Sequence, residues 1–147
     1  MSKEKCVIFD IDGTISDQKN RLYLVKEKPK DWDKFFEESV NDEPLYFVKE
    51  IYDNFVKNQG YHIILMTGRP ERYREITENW LEKYGFKYTK LLMRSNNSKI
   101  ANVYMKEYML KGILDKYDVV MAFEDNDKVI ELFKKYNIPS LKVISKE

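Results

Sequence analysis

One cysteine, Cys6, and one histidine, His62, occur in 147 residues. That scarcity excludes an internal disulfide framework and leaves no Cys/His set for a zinc site or a thiol protease. Glycine and proline number only five and four, and no Pro/Gly/Ser-rich linker or repeat divides the chain, which therefore reads as a single domain over residues 1–147. No apolar run approaches the roughly 18 residues that cross a bilayer. The opening Met-Ser-Lys-Glu-Lys lacks the apolar stretch of a signal peptide, so the expected location is cytoplasmic, without a membrane partner. An excess of either charge is also missing, since 26 Lys and Arg offset 25 Asp and Glu. Any preference for a polyanion must be local. No Gly-x-x-x-x-Gly-Lys string occurs, which argues against a phosphate-binding loop or a kinase domain in this chain.

What the chain does contain is an alternation of short apolar runs with helical patterns, the signature of an α/β fold with a mostly parallel sheet. Five strands are expected at Cys6–Ile11, Tyr61–Thr67, Thr89–Met93, Val119–Phe123 and Ser140–Ile144. Between the first two, Leu45, Val48, Ile51, Tyr52, Phe55 and Val56 recur at helical spacing up to Gly60, which offers a left-handed stop. Pro70 suits the first turn of a second helix that carries Tyr73, Ile76, Trp80, Leu81 and Tyr84 to Gly85. A third helix is expected from Ser98 to Lys116 and a fourth from Asp127 to Tyr136. Residues 17–44 are too many for a direct strand-to-helix crossover and too few for a domain, which makes them a small insertion, a lid or strut beside the sheet. Asp31 is placed to cap a short helix within it.

The first strand ends in Asp10-Ile11-Asp12-Gly13-Thr14, at the sheet edge where open α/β folds place their ligands. Two carboxylates two residues apart point the same way along an extended chain and repel unless a cation or shared proton neutralises them. A hard divalent ion such as Mg²⁺ meets that need. One carboxylate can then act as nucleophile and the other as general acid and base, although Asp-x-Asp also shapes ordinary turns. Glu124-Asp125, after the fourth strand, reads either as a second acidic cluster or as a cap for the last helix, with Asp127 as a rival cap.

Asp10-Ile11-Asp12-Gly13-Thr14 after an apolar strand resembles the first motif of the haloacid dehalogenase superfamily of aspartyl-phosphate phosphatases. Thr67-Gly68-Arg69, Lys106 and Glu124-Asp125 resemble the second, third and fourth motifs, in order and at strand or helix positions that suit them. Within the superfamily, Arg21, the stretch Lys106-Glu107-Tyr108 and the run from Tyr117 to Asp125 are similar to the 3′-phosphatase domains of phage polynucleotide kinase/phosphatases. Two positions depart from that group: Glu124 replaces an aspartate, and Asn102 replaces the acidic residue four before the lysine. The resemblance implies a Rossmann-like three-layer sandwich with a small insertion in place of a full cap domain. It implies catalysis by Asp10 as nucleophile and Asp12 as acid and base, with Thr67 and Lys106 stabilising phosphoryl oxygens. Mg²⁺ would be held by Asp10, the backbone carbonyl of Asp12 and Asp125, with Glu124 assisting. Arg21, Arg69, Thr67 and Gly68 would contact the substrate, the arginines through paired hydrogen bonds to phosphate.

Residues 83–116 carry eight basic and two acidic side chains, a local surplus suited to a polyanion. The small insertion leaves the site open enough for a nucleic-acid end, with Tyr23, Trp32, Phe35 or Phe36 available to line its edge. The expected activity is removal of 3′-phosphates from DNA or RNA ends, with a kinase or ligase on another chain as a possible partner. A nucleotidase or small-molecule phosphatase and an inactive phosphate-end or protein binding module are the alternatives.

Overall fold

The computed structural model describes residues 2–145. Five strands, β1 (Glu4–Phe9), β2 (Tyr61–Pro70), β3 (Lys90–Arg94), β4 (Tyr117–Glu124) and β5 (Ser140–Lys142), form one sheet in the order β3-β2-β1-β4-β5. Every pairing is parallel, as expected of strands joined by helical crossovers. Six helices accompany them: α1 (Tyr23–Lys26), α2 (Trp32–Glu37), α3 (Tyr46–Lys57), α4 (Arg74–Lys83), α5 (Asn102–Leu114) and α6 (Asp127–Lys135). No helix among the described residues is long and apolar enough to cross a membrane.

Alternation along β1 sorts the core into two halves. Val7 and Phe9 join the cluster that includes Val48 and Tyr52 of α3 and Trp80 and Leu81 of α4. Cys6 and Ile8 join Leu110 and Ile113 of α5 and Val129, Leu132 and Phe133 of α6. Burial of both faces explains why the strands read as continuous apolar runs, and the result is the expected three-layer arrangement. Phe9 lies level with Leu65 of β2 and Phe123 of β4, and its ring stacks on Phe123 at 4.4 Å. The residues that follow these three positions therefore emerge together at the carboxyl edge, where the chain reverses its winding direction across the sheet and ligands bind in such folds.

Several boundaries differ from the periodicity reading. Pro70 does not open a helix. It ends β2, pairs with Arg94 of β3 and is followed by a 3₁₀ turn at Glu71–Tyr73 before α4 begins; lacking an N–H, proline is tolerated at a strand end as readily as in a first helical turn. Gly60 is not left-handed either: α3 stops at Lys57, and the Asn58 side chain accepts the Gly60 N–H at 3.0 Å. Gly85, at φ +72°, is the left-handed stop, with the Phe86 N–H reaching the Leu81 carbonyl at 2.9 Å as helix C-caps require. The cap of α6 is Asn126, which accepts from the N–H groups of Lys128 and Val129, so Asp125 and Asp127 are relieved of that task. His62 lies half-buried near the amino end of β2, between Glu4 and Thr89.

The insertion is a strut. Its neck is closed by Asp17 N–H to the Glu43 carbonyl at 2.9 Å and Leu45 N–H to the Ile15 carbonyl at 2.8 Å. Asp31 caps α2 through the Lys34 N–H. Leu24, Phe35 and Phe36 are buried in the same cluster as Phe9 and Trp80, leaving Tyr23 and Trp32 as the exposed aromatics. Trp80 Nε1 donates to the Asp42 carbonyl at 2.9 Å, and Asp33 accepts from the Tyr73 hydroxyl at 2.6 Å. Because Phe35 serves the common core, Phe35→Ala is expected to lower global stability by about 3–5 kcal/mol in a single urea transition. A second, earlier transition confined to the insertion would show instead that it folds separately.

Candidate active site

The β1 exit carries Asp10, whose two carboxylate oxygens have different partners. Lys106 Nζ donates to Oδ1 at 2.8 Å and the Thr14 hydroxyl to Oδ2 at 3.1 Å. The chain then turns back sharply, with the N–H groups of Thr14, Ile15 and Ser16 converging on the Ile11 carbonyl. Gly13 makes the turn possible at φ +81°, and a Cβ there would lie 2.1 Å from Asp125 Oδ2. Only glycine permits both the conformation and the approach of that carboxylate.

At the end of β4, Glu124 is buried and its oxygens are engaged. Oε1 accepts from Lys106 Nζ at 2.7 Å, and Oε2 accepts from the backbone N–H groups of Asp125 and Asn126 at 3.0 and 3.2 Å. Glu124 thus gives Lys106 a second ionic partner beside Asp10, which the neutral Asn102, four residues earlier on α5, does not. Asn102 instead sits against Gly68, where its Oδ1 would be 2.5 Å from a Cβ. Asp125 has far less support, with Gln18 Nε2 at 3.5 Å from its Oδ2.

Asp10, Glu124 and Asp125 place one ligand atom each within 4.8 Å of one another, an all-oxygen donor set that fits a hard divalent cation. Glu124 is tied to Lys106 and to two backbone amides and Asp10 to Lys106 and Thr14, which leaves Asp125 as the carboxylate freest to hold it. Asp12 turns its side chain away from this cluster, so a contribution from it would come from the backbone carbonyl.

The Asp12 carboxylate faces two arginines. Arg69 approaches with Nε at 3.0 Å and Nη2 at 2.8 Å, and donates from Nη1 to the Thr77 hydroxyl at 3.0 Å. Arg21 reaches Asp12 through Nη2, pairs with Asp42 through Nε at 2.9 Å and donates from Nη1 to the Phe35 carbonyl at 3.1 Å. Every guanidinium nitrogen of both arginines is engaged, and both side chains are buried. Arg21 and Arg69, for which paired phosphate contacts are expected, both reach the Asp12 carboxylate. Asp42 and Thr77 escape sequence reading because neither belongs to a motif, and the insertion brings Asp42 to Arg21 only by folding back. Thr67 is buried, its Oγ1 accepts the Arg69 N–H at 3.1 Å, and Gly68 follows it on the same strand.

The charges respond to these surroundings. Burial, followed by the Glu124 charge, pushes the Asp10 carboxyl well up, with Lys106 opposing. Burial also raises Asp12, but the Arg69 and Arg21 guanidiniums outweigh it and hold the carboxyl well below the usual range. Burial disfavours the Lys106 ammonium, yet Asp10 and Glu124 more than compensate and its pKa is raised. Burial and then Glu124 push Asp125 up to about 7.

Sheet and site together define a phosphatase of the haloacid dehalogenase superfamily, with an aspartate pair after β1, a threonine on the adjacent strand, a buried lysine and an acidic pair at the end of β4. The sequence profile described as the polynucleotide kinase PNKP phosphatase domain matches residues 4–147. The chain belongs to that family. It is 27% identical over 139 residues to a protein of Autographa californica nuclear polyhedrosis virus named "Putative bifunctional polynucleotide kinase/RNA ligase", covering 93% of this chain and 19% of that one. A chain in the "Structure of Pnkp1/Rnl/Hen1 complex" superposes with a TM-score of 0.80 at 31% identity, over 100% of this chain and 48% of that one. The class C acid phosphatase of Bacillus anthracis shares the fold at a TM-score of 0.70 and 18% identity, over 93% and 63% of the two chains. This chain thus spans about a fifth of the viral relative and about half of the chain in the complex.

A carboxyl whose folded pKa is raised binds more protons folded than unfolded, so its contribution to stability is lost as pH rises from about 4 to about 7 for Asp125. A bound divalent cation reverses that loss because it takes the ionised form. Added Mg²⁺ is therefore expected to raise the melting temperature more at pH 8 than at pH 5.5, and Asp125→Asn to remove most of the difference. Equal Mg²⁺ shifts at both pH values, in wild type and variant alike, would count against Asp125 as a ligand.

Proposed function

We propose that the domain is a Mg²⁺-dependent phosphomonoesterase that acts through an aspartyl-phosphate and removes 3′-phosphates from DNA or RNA ends. The observation that carries this reading is the division of labour between two neighbouring aspartates, Asp10 beside a lysine and the acidic cluster, and Asp12 between two arginines. Family membership supports the polynucleotide end as substrate. The relatives' names, which join a polynucleotide kinase to an RNA ligase or describe a Pnkp1/Rnl/Hen1 complex, point the same way. Removing a 3′-phosphate leaves the hydroxyl that ligation consumes, so a kinase or ligase elsewhere in the assembly is a fitting partner.

In the first step an Asp10 oxygen attacks phosphorus, the bond from phosphorus to the ester oxygen breaks, and Asp12 gives that oxygen a proton. Resting Asp12 is ionised. The negative charge of an arriving phosphate raises its proton affinity by like-charge repulsion, so that it takes up a proton from solvent and enters the step as an acid. In the second step Asp12 takes a proton from water, the water oxygen attacks the phosphoaspartate, and inorganic phosphate and free Asp10 result. Arg21 and Arg69 fix the orientation of Asp12 throughout. Thr67 can donate its hydroxyl hydrogen to a non-transferred phosphoryl oxygen, and Lys106, with three N–H donors, has one to spare beyond Asp10 and Glu124 for a second. Mg²⁺ at Asp10 and Asp125 would supply positive charge against the repulsion between carboxylate and phosphate.

Phosphate release from a 3′-phosphorylated oligonucleotide, measured with Mg²⁺ or EDTA beside the matching 3′- and 5′-mononucleotides, tests the reading. Mg²⁺-dependent release mainly from the oligonucleotide is expected, whereas preference for mononucleotides would make the domain a nucleotidase and no release would make it a binding module. Asp10→Asn should reduce turnover by a factor on the order of 10³ or more while leaving the fold intact; retained hydrolysis would exclude the covalent route. Asp12→Asn should slow the oligonucleotide by about 10²- to 10⁴-fold and slow the leaving-group step of nitrophenyl phosphate, which needs no proton, far less. Equal losses on both substrates in that step would remove Asp12 from the acid role.

A further inference from the structure

Helix α5 departs from the pattern of a helix that covers a sheet. Met105, Leu110 and Ile113 are buried, but Tyr104 and Tyr108, one turn apart, are 65% and 81% exposed. Polar residues ordinarily occupy such outward positions. The helix packs over β2 and β4, while β3 at the sheet edge has only β2 as a neighbour. Between α5 and β3 runs a groove of about 840 Å³. Leu92, Met105 and Met109 line it with apolar atoms, and Lys90, Lys111 and Lys116 bring positive charge.

One end of the groove lies beside residues that border the active site. Met105 precedes Lys106, and its Cε lies 3.8 Å from where a Cβ on Gly68 would stand. Arg94, ending β3, donates to the Gly68 carbonyl at 3.1 Å and to the Ile100 carbonyl at 2.7 Å, linking the Thr67-Gly68 turn to the loop at the groove's mouth. Gly112 adds a second observation. It lies within α5 and lines the groove, yet a Cβ there would meet nothing within 4 Å. A glycine that weakens a helix without an internal packing reason leaves the backbone open to something from outside.

Charge selects the occupant. Lys90, Lys111 and Lys116 make no ion pair among the described residues; of the two acids at the groove, Glu71 is neutralised by Arg74 at 2.8 Å and Asp115 is left against the three lysines. The segment from Lys83 to Lys116 holds eight basic residues against two acidic ones. Unpaired cations beside an exposed aromatic and an apolar floor match a strand with a charged backbone and flat bases. We propose that this groove receives the single-stranded nucleic acid that leads to the terminal phosphate, with Tyr108 as a platform for a base and Lys90, Lys111 and Lys116 beside the backbone. The inference rests on the polynucleotide-end reading above and assigns that substrate a path.

The test compares kcat and KM for 3′-phosphorylated substrates of one, two, four and eight nucleotides in wild type, Tyr108→Ala, Gly112→Gln and Lys111→Glu/Lys116→Glu. Wild type is expected to gain in kcat/KM with length. Each variant should lose that gain through a KM raised about fivefold or more on the longest substrate, with kcat and mononucleotide hydrolysis unchanged. The double charge reversal should also flatten the salt dependence. Gly112→Gln fills the groove with a good helix former, so its melting temperature should not fall. Variants that keep the wild-type length dependence would overturn the proposal and leave the groove to a protein segment. A wild type with no length dependence would instead refute the polymer reading itself, an outcome visible before any variant is made.

Discussion

A lysine ammonium enclosed between two carboxylates organises this domain. Lys106 is 1% exposed and lies within 2.8 Å of both Asp10 and Glu124. Desolvating three charges is expensive, and the arrangement persists because each carboxylate has further donors, Thr14 for Asp10 and two backbone amides for Glu124. Such a cluster tolerates no missing member, since an uncompensated buried charge costs about 3–5 kcal/mol. It also ties α5 to the ends of β1 and β4, so one set of contacts holds Asp10 and packs the helix.

The second charge system, Asp12 with Arg21, Arg69 and Asp42, does for the insertion what Lys106 does for α5. Arg21 and Asp42 both belong to the insertion, and Asp12 and Arg69 belong to the strand ends. The strut is consequently part of the site. Its buried aromatics anchor it in the common core, and its ion pairs hold the Asp12 carboxylate in place. Burial beside the Glu124 charge and enclosure between two arginines drive the proton affinities of Asp10 and Asp12 in opposite directions.

The glutamate at position 124 shows how a departure within a motif is absorbed. On α5, Asn102 offers Lys106 no charge and rests against Gly68 instead. Glutamate has the reach to replace that partner from the end of β4. The consequence is a narrower choice of metal ligand, because the side chain that serves the lysine and two amides is less able to serve a cation than Asp125 beside it.

Much of this was legible in the chain. Continuous apolar runs announced a sheet buried on both faces, and five of them alternating with helical periods fixed its class and the edge at which Asp10, Thr67, Lys106 and Asp125 meet. Short-range patterns carry such information because strand and helix periods are local. Where local rules compete, they decided less well: Pro70 satisfies a strand end as readily as a first helical turn, and Asn126 took a cap for which three neighbouring acids were also candidates. Charge partners were not legible at all. That Arg21 and Arg69 turn onto Asp12, that Asp42 steadies Arg21 and that Glu124 claims Lys106 are outcomes of folding, because a buried charge takes the partner that the packed chain brings within about 3 Å and no sequence spacing encodes that distance.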